Sequence, residues 1–92
     1  MTKAYIVHYV GYDYNDRDSG AVAYGMIYEL PEEIHSTQEG AIKEFEQMIA
    51  EELQNWDLNN AEMERSEDCF YISEESPERW TEIRIKCVTI KE

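Results

Sequence analysis

The sequence is poor in residues that cross-link, bend or break a chain: its 92 residues include two cysteines, two prolines and four glycines. Two cysteines are too few for the disulfide framework of a small secreted scaffold. No apolar run approaches the ~18–20 residues of a membrane-spanning helix. The segment Met1–Val10 also lacks the apolar core of a signal peptide. These absences predict a cytoplasmic protein that folds without disulfide bonds.

Basic residues are also scarce, since eight Lys and Arg accompany 21 Asp and Glu, for a formal net charge of −13. A field of this sign repels DNA, RNA and anionic membranes, so the sequence predicts no direct contact with nucleic acid or membrane. It instead steers the protein towards basic surfaces, at rates that fall as salt is added. Because 42% of the residues are hydrophobic and 12% are aromatic, the chain can form a core, and we expect one domain over residues 1–92.

The aspartate-rich segment Gly11–Gly20 was compared with a calcium-binding loop. An EF-hand loop needs a ligand at position 5 and a bidentate glutamate at position 12. Starting at Asp13, these positions hold Arg17 and Tyr24, and a start at Asp16 fails as well. The segment is therefore predicted to be an ordinary hairpin loop, whose Asp, Asn and Ser side chains bond to nearby backbone.

The sequence predicts no metal, cofactor or catalytic site. The soft-metal ligands do not show the paired spacings of a zinc site; they are His8, His35, Cys69 and Cys87. If the second half of the chain forms a hairpin whose paired residue numbers sum to 156, the two cysteines lie opposite each other, although two reduced thiols are expected in the cytoplasm. Neither a nucleophile elbow nor a Gly-rich phosphate loop is present, so we expect a protein that is not an enzyme.

The first half of the chain has the pattern of a β-hairpin. Strands are predicted over Lys3–Tyr12 and Ala21–Leu30, which are rich in Tyr, Val and Ile. A register in which paired residue numbers sum to 33 places four tyrosines on one face of the sheet, namely Tyr5, Tyr9, Tyr24 and Tyr28. The small residues Ala23 and Gly25 then lie on the other face, where we expect a helix to pack.

Pro31 is predicted to end the second strand, and an amphipathic helix is predicted to begin at Ser36. Ser36 and Glu39 have the spacing of a capping box. Apolar residues then recur at helical spacing, at Ile42, Phe45, Met48, Ile49, Leu53 and Trp56. Asparagines that are suitable for ending the helix follow at Asn55, Asn59 and Asn60.

The rest of the chain predicts a second hairpin. The segment Asp57–Asp68 fits either a short helix or a structured loop. Strands are predicted over Cys69–Ser73 and Trp80–Lys91, joined by a turn through Glu74–Arg79. The predicted fold class is therefore α+β, with the order β-β-α-β-β and one amphipathic helix packed on one face of an antiparallel sheet.

Acidic residues are concentrated in the middle of the chain. Carboxylates one helical turn apart have a spacing similar to that of phosphates along a strand, and they bind the same Arg and Lys side chains. We therefore expect a carboxylate set to bind a basic, nucleic-acid-binding partner protein: Glu44, Glu46, Glu51, Glu52, Asp57, Glu62, Glu64, Glu67, Asp68, Glu74, Glu75 and Glu78. The simpler interpretation is a solvated surface that keeps the protein soluble.

In size, charge and mixed α/β character the chain resembles the DNA-mimic anti-CRISPR and antirestriction proteins that bacteriophages and mobile elements encode. The resemblance covers composition along the whole chain, and no residue pattern is shared. It implies an inhibitor that blocks a basic nucleic-acid-binding surface of a host protein, in the host cytoplasm if a phage encodes it.

A second hypothesis is a small interaction or assembly module, with a homodimer as one form. Its interface would be the tyrosine face of the first hairpin, since Tyr is enriched at protein interfaces. The simpler interpretation is that the tyrosines pack against the core. Salt separates the two functional hypotheses, because charge-driven capture weakens with salt and apolar association does not.

Overall fold

A computed structural model describes residues 2–15, 24–75 and 78–90. Within these ranges the chain forms the following elements: β1 Thr2–Asn15, β2 Tyr24–Glu29, β3 Glu33–His35, α1 Gln38–Leu53, β4 Glu62–Arg65, β5 Cys69–Glu75 and β6 Glu78–Ile90. All strand pairs are antiparallel. The predicted α+β class is confirmed, because the strands form one antiparallel sheet and the only helix in these ranges packs on one face of it.

The first and last strands form the centre of the sheet. The strand order is β2-β1-β6-β5-β4, and β3 pairs with a separate part of β1. Strand β1 has 14 residues and is paired with β6 from Thr2 to Asp13. On its other edge, it pairs with β3 near Ile6 and with β2 from Val10 onward. Pro31 lies between β2 and β3, and it has no N–H with which to continue the hydrogen bonding of either strand.

Side chains alternate between two faces of this sheet, which we call the helix face and the open face. Odd-numbered residues of β1 and β6 lie on the helix face, where Val7, Thr81 and Ile83 are at most 1% exposed. Even-numbered residues of the same strands lie on the open face, which no helix of the described ranges covers. The helix therefore packs on the side of Tyr5 and Tyr9, and the prediction that it packs against Gly25 is wrong.

The core lies between α1 and the centre of the sheet. Ala41, Phe45 and Ile49 are buried on the helix. They form one cluster with residues of the loop and the sheet, namely Val7, Trp56, Phe70, Ile72 and Ile83. Ile42, which the sequence analysis assigned to the buried stripe, is 39% exposed. The neighbouring Ala41 is fully buried instead.

The helix begins one residue later than the capping box indicates. Thr37 is the N-cap, and its Oγ1 accepts a 3.1 Å hydrogen bond from the Gly40 N–H. This is the capping role that the sequence analysis gave to Ser36. After Leu53 the chain turns, and the Trp56 side chain packs into the core from outside the helix.

The register predicted for the first hairpin is wrong by six residues. The observed pairs sum to 39, as in Gly11 with Tyr28 and Asn15 with Tyr24. Strand β1 continues to Asn15, so the start of the predicted loop is strand. Residues 16–23, which carry the rest of that loop and Ala23, lie outside the described residues.

The register that would bring the two cysteines together in the second hairpin is also wrong. Paired residues of β5 and β6 sum to 153, which aligns Cys69 with Arg84. Because this sum differs from 156 by an odd number, every side chain of one strand changes face relative to the hypothesis. Cys87 instead aligns with Tyr5 on the helix face, and both thiols are free. The ambiguous segment before this hairpin contributes the edge strand β4.

Candidate protein-binding surface

Glu52, one of the twelve candidate carboxylates, is bonded inside the fold. Its Oε1 accepts a 2.6 Å hydrogen bond from the Tyr9 hydroxyl. Its Oε2 accepts hydrogen bonds from Trp56 Nε1 at 2.7 Å and from Thr81 Oγ1 at 3.1 Å. This carboxylate joins the helix to β1, β6 and the loop that follows the helix, so it contributes to the fold and is not available to a partner.

Two more candidates on the helix are held by side chains of the sheet. Glu44 Oε2 lies 2.5 Å from His35 Nε2, and both side chains are about a quarter exposed. Glu46 forms an ion pair with Arg65 across the groove between helix and sheet. These contacts fix α1 on the sheet, and they take up two of the carboxylates that the sequence analysis assigned to a partner.

Glu74 and Arg79 form a further internal pair on the helix face. Arg79 Nε lies 2.8 Å from Glu74 Oε1, but its N–H is not directed at that oxygen, so the contact is an ion pair without a hydrogen bond. The same guanidinium lies 3.8 Å from the centroid of the Trp56 ring and donates a hydrogen bond to the carbonyl of Asn55. A cation between an indole and a carboxylate is thus part of this fold.

Three other candidates accept short-range hydrogen bonds. Asp57 accepts from the N–H of Asn59 and from Asn60 Nδ2, at 3.0 and 2.8 Å. Asp68 accepts from the Ser66 hydroxyl at 3.2 Å. Both aspartates hold turns beside β4, as Asp side chains commonly do. Glu51 is exposed and accepts a 3.4 Å hydrogen bond from Gln47.

The remaining five candidates are exposed and, within the described residues, have no ion-pair or hydrogen-bond partner: Glu62, Glu64, Glu67, Glu75 and Glu78. Four of them share the open face. Glu62 and Glu64 of β4 align with Ser73 and Tyr71, while Glu75 aligns with Glu78. The structure therefore brings Glu62, Glu64, Glu75 and Glu78 to one end of the open face.

An aromatic row crosses the open face beside these carboxylates. It consists of Tyr12 of β1, Trp80 of β6 and Tyr71 of β5, all half-buried. Ring centroids are 6.2 Å apart both between Tyr12 and Trp80 and between Trp80 and Tyr71, with interplanar angles of 12° and 27°. Ile27 of β2, which is 65% exposed, aligns with Tyr12 and extends the row towards the sheet edge.

We call the aromatic row together with these four carboxylates the acidic aromatic end of the open face. A surface depression of about 340 Å³ lies between Tyr71 and Trp80 and is bordered by Glu75 and Glu78. Aromatic faces and carboxylates both attract cations, and the rings also favour an apolar or planar group. The arrangement therefore suits Arg or Lys side chains of a partner.

The other half of the open face carries two bases, Arg84 and Lys86, beside two acids, Glu29 and Glu82. Arg84 and Lys86 of β6 are exposed there, and His8 Nε2 lies 2.9 Å from Glu29 Oε2. The pKa of Arg84 is raised above its usual value, chiefly by a hydrogen bond to the Cys69 thiol and then by the charge of Glu82, 3.6 Å away. Among the described residues, the bases of the open face thus lie outside the acidic aromatic end.

The tyrosine set that the sequence analysis proposed as an interface does not coincide with this row. Tyr5 and Tyr9 are half-buried on the helix face and pack against the core. Tyr24 and Tyr28 pair through their backbone with β1, and their side chains lie outside the described part of the structure. The aromatic row was missed, although Tyr71 alternates with the buried Phe70 and Ile72, a pattern that indicates the opposite face.

A second depression of about 890 Å³ lies on the helix side, near the start of α1. Its apolar surface comes from Ile42 and Ile85. The ion pair of Glu46 with Arg65 crosses it, and Glu67 borders it together with Asp68. It is a surface groove with an internal ion pair, whereas the carboxylates of the acidic aromatic end are unpaired.

Comparison with known proteins gives no relative, since no family model, curated protein or solved structure matches the chain. Among the described residues, no three His, Cys, Asp or Glu side chains converge as they would around a metal ion. In the same part of the chain, α1 is neither long enough nor apolar enough to cross a bilayer.

Proposed function

We propose that the protein is a non-enzymatic inhibitor that binds a basic, nucleic-acid-binding surface of a partner protein through its acidic aromatic end. The observation that carries this proposal is the grouping of four carboxylates, which have no partner among the described residues, with three half-buried aromatic rings on the open face. The proposal includes the cytoplasmic location expected from the sequence, which is the host cytoplasm if a phage encodes the chain.

Charge and surface chemistry both support such a partner. Carboxylates accept charge-assisted hydrogen bonds from the Arg and Lys side chains that bind phosphates. Glu62 and Glu64 lie two residues apart on one strand face, roughly 6.8 Å from each other, so they present regularly spaced charges as a nucleic-acid strand does. The aromatic row adds desolvated contact area, which Tyr and Trp supply at many protein interfaces.

This proposal is tested by charge reversal at the acidic aromatic end. The triple variant carries Glu62→Lys, Glu64→Lys and Glu75→Lys and is compared with the unchanged chain in a tagged pull-down from a bacterial lysate at low salt. We expect it to retain roughly tenfold less partner, or less still, because close interfacial charge pairs contribute ~1.5 kcal/mol or more each. Bound partner should elute with salt and be displaced by duplex DNA.

The matched control reverses three exposed acids elsewhere, at Glu32, Glu33 and Glu39, and changes the net charge by the same amount. We expect it to retain the partner within about threefold, because long-range steering changes much less than close contacts do. Equal losses in the two triple variants would mean that the charge acts only through the general field. Equal retention would rule out the acidic aromatic end as the contact.

A second candidate function, homodimerisation, is favoured by the apolar residues of the open face. Ile27 and Ile34 are 65% and 70% exposed there. In a two-fold symmetric dimer that packs open face on open face, the strands of the two copies would run in opposite directions. Arg84 and Lys86 of one copy would then lie against the acidic aromatic end of the other. This candidate keeps the assembly role expected from the sequence but uses the open face.

Sedimentation distinguishes the two functions. If the open face binds a basic partner, we expect a 10.9 kDa monomer at both low and high salt. A mass of twice that value that persists at high salt and is lost in Ile34→Lys would favour the dimer, because apolar association is not screened. The control is Leu58→Lys, at an exposed apolar residue in the loop before β4.

A further inference from the structure

We infer that the aromatic row of the open face is an arginine-binding surface, which takes guanidinium groups of an extended basic segment in preference to lysine ammonium groups. The inference rests on the proposed function and specifies the chemistry of the partner. It makes Tyr71 and Trp80, with the carboxylates of Glu75 and Glu78, the groups that discriminate between the two cations.

The fold itself contains a guanidinium in this chemical environment. On the helix face, Arg79 lies 3.8 Å from the Trp56 ring centroid and is paired with Glu74. The open face offers the same two kinds of group, an indole from Trp80 and carboxylates from Glu75 and Glu78. Arg79 and Glu74 also line this depression, but the Arg79 guanidinium is bound to Trp56, Glu74 and the Asn55 carbonyl on the helix face. The difference is that no described cation forms an ion pair with Glu75 or Glu78.

The described basic residues of the open face contact neither the rings of the row nor Glu75 and Glu78. Arg84 lies further along β6, aligned with Cys69, and it contacts the Cys69 thiol and Glu82. Lys86 lies further still along the same strand. Within residues 2–15, 24–75 and 78–90, no basic side chain pairs with the carboxylates of the acidic aromatic end, and the inference is that another molecule supplies the cation.

The carboxylates next to Trp80 also favour a forked cation. Glu75 and Glu78 are directly opposite each other on β5 and β6, an arrangement in which like charges repel. A guanidinium can bond two oxygens at once and stack its plane on an aromatic ring, while an ammonium group is a compact charge with a tighter hydration shell. Binding of arginine would relieve the repulsion and use the rings, whereas lysine would mainly satisfy the charge.

The test compares octa-arginine with octa-lysine as probes of the full chain, by calorimetry at low salt. We expect the arginine peptide to bind about three- to tenfold more tightly, as stacking on an aromatic face implies. We expect Trp80→Leu and, separately, Tyr71→Leu to bring the ratio of the two dissociation constants close to one. Circular dichroism would show whether each variant folds, and if one of them does not, the other still tests the inference.

Fluorescence locates the contact. The chain has two tryptophans, so Trp56→Phe leaves Trp80 as the only indole, and octa-arginine should change its emission more than octa-lysine does. Equal affinities for the two peptides, or a preference that survives both leucine variants, would overturn the inference and leave the charge-based proposal standing. If neither peptide binds, both this inference and the proposed function are wrong. A stable dimer in which Trp80 is inaccessible to both peptides would also contradict both.

Discussion

Replacing Phe45 by alanine is expected to lower the free energy of unfolding by about 4 kcal/mol, the usual cost of emptying a large buried aromatic position. Phe45 is fully buried between α1 and the sheet, in one cluster with Ile83 and Phe70. A domain of this size is stabilised by roughly 5–15 kcal/mol in total. The change would therefore remove a large part of the stability, and urea denaturation followed by circular dichroism would measure it.

The matched control is Ile42→Ala on the same helix. The sequence places Ile42 and Phe45 in one apolar stripe, but the structure leaves Ile42 39% exposed. Alanine is the better helix former, which offsets part of the lost contact, so we expect a loss of less than about 1 kcal/mol. Similar losses for the two variants would mean that the helix is rotated about its axis relative to the structure described above.

The helix could be predicted from the sequence because its signals are local. Apolar spacing located the segment, and the observed helix, Gln38–Leu53, has the predicted Phe45 and Ile49 in the core. Its rotation about the helix axis was not predicted correctly, because Ala41 carries a weak hydrophobic signal although it is fully buried in the core cluster. The predicted N-cap, Ser36, is one residue before the observed N-cap, Thr37, because serine and threonine have similar capping preferences.

The sheet was harder to predict because its central pairing joins the two ends of the chain. Strand β1 pairs with β6 over most of its length, and no local pattern specifies such a contact. Strand β1 is paired with β6 as far as Asp13 and with β2 as far as Asn15, so it stays extended through residues that favour turns. The turn of the first hairpin therefore lies further along the chain than its sequence suggests, and the pairing of the two strands is shifted by six residues.

The candidate site was predicted in composition but not in arrangement. No local pattern separates acids that form internal contacts, such as Glu44 and Glu52, from acids that remain exposed, such as Glu62. That separation depends on donors from distant elements, including Tyr9 and Thr81. The aromatic row was predictable in part, since Tyr71 and Trp80 alternate with core positions along their strands.

Replacing Glu52, one of these internal acids, by alanine is expected to lower the free energy of unfolding by about 3 kcal/mol. The change removes the carboxylate that accepts hydrogen bonds from the Tyr9 hydroxyl, the Trp56 N–H and the Thr81 hydroxyl. An unsatisfied buried donor costs ~1–3 kcal/mol, and Thr81 is 1% exposed. Urea denaturation would measure the loss, and partial relief in Glu52→Gln would identify hydrogen bonding as its cause.

The neighbouring residue supplies the control, because Glu51 is exposed and carries the same charge. Glu51→Ala is expected to change stability by no more than about 0.5 kcal/mol. Both variants remove one negative charge, so a general relief of self-repulsion would stabilise them equally. A loss confined to Glu52→Ala would show that this carboxylate acts through its three donors. If the two variants unfolded alike, the acids of α1 would be interchangeable surface charges, and a partner would have no reason to prefer the open face to the helix.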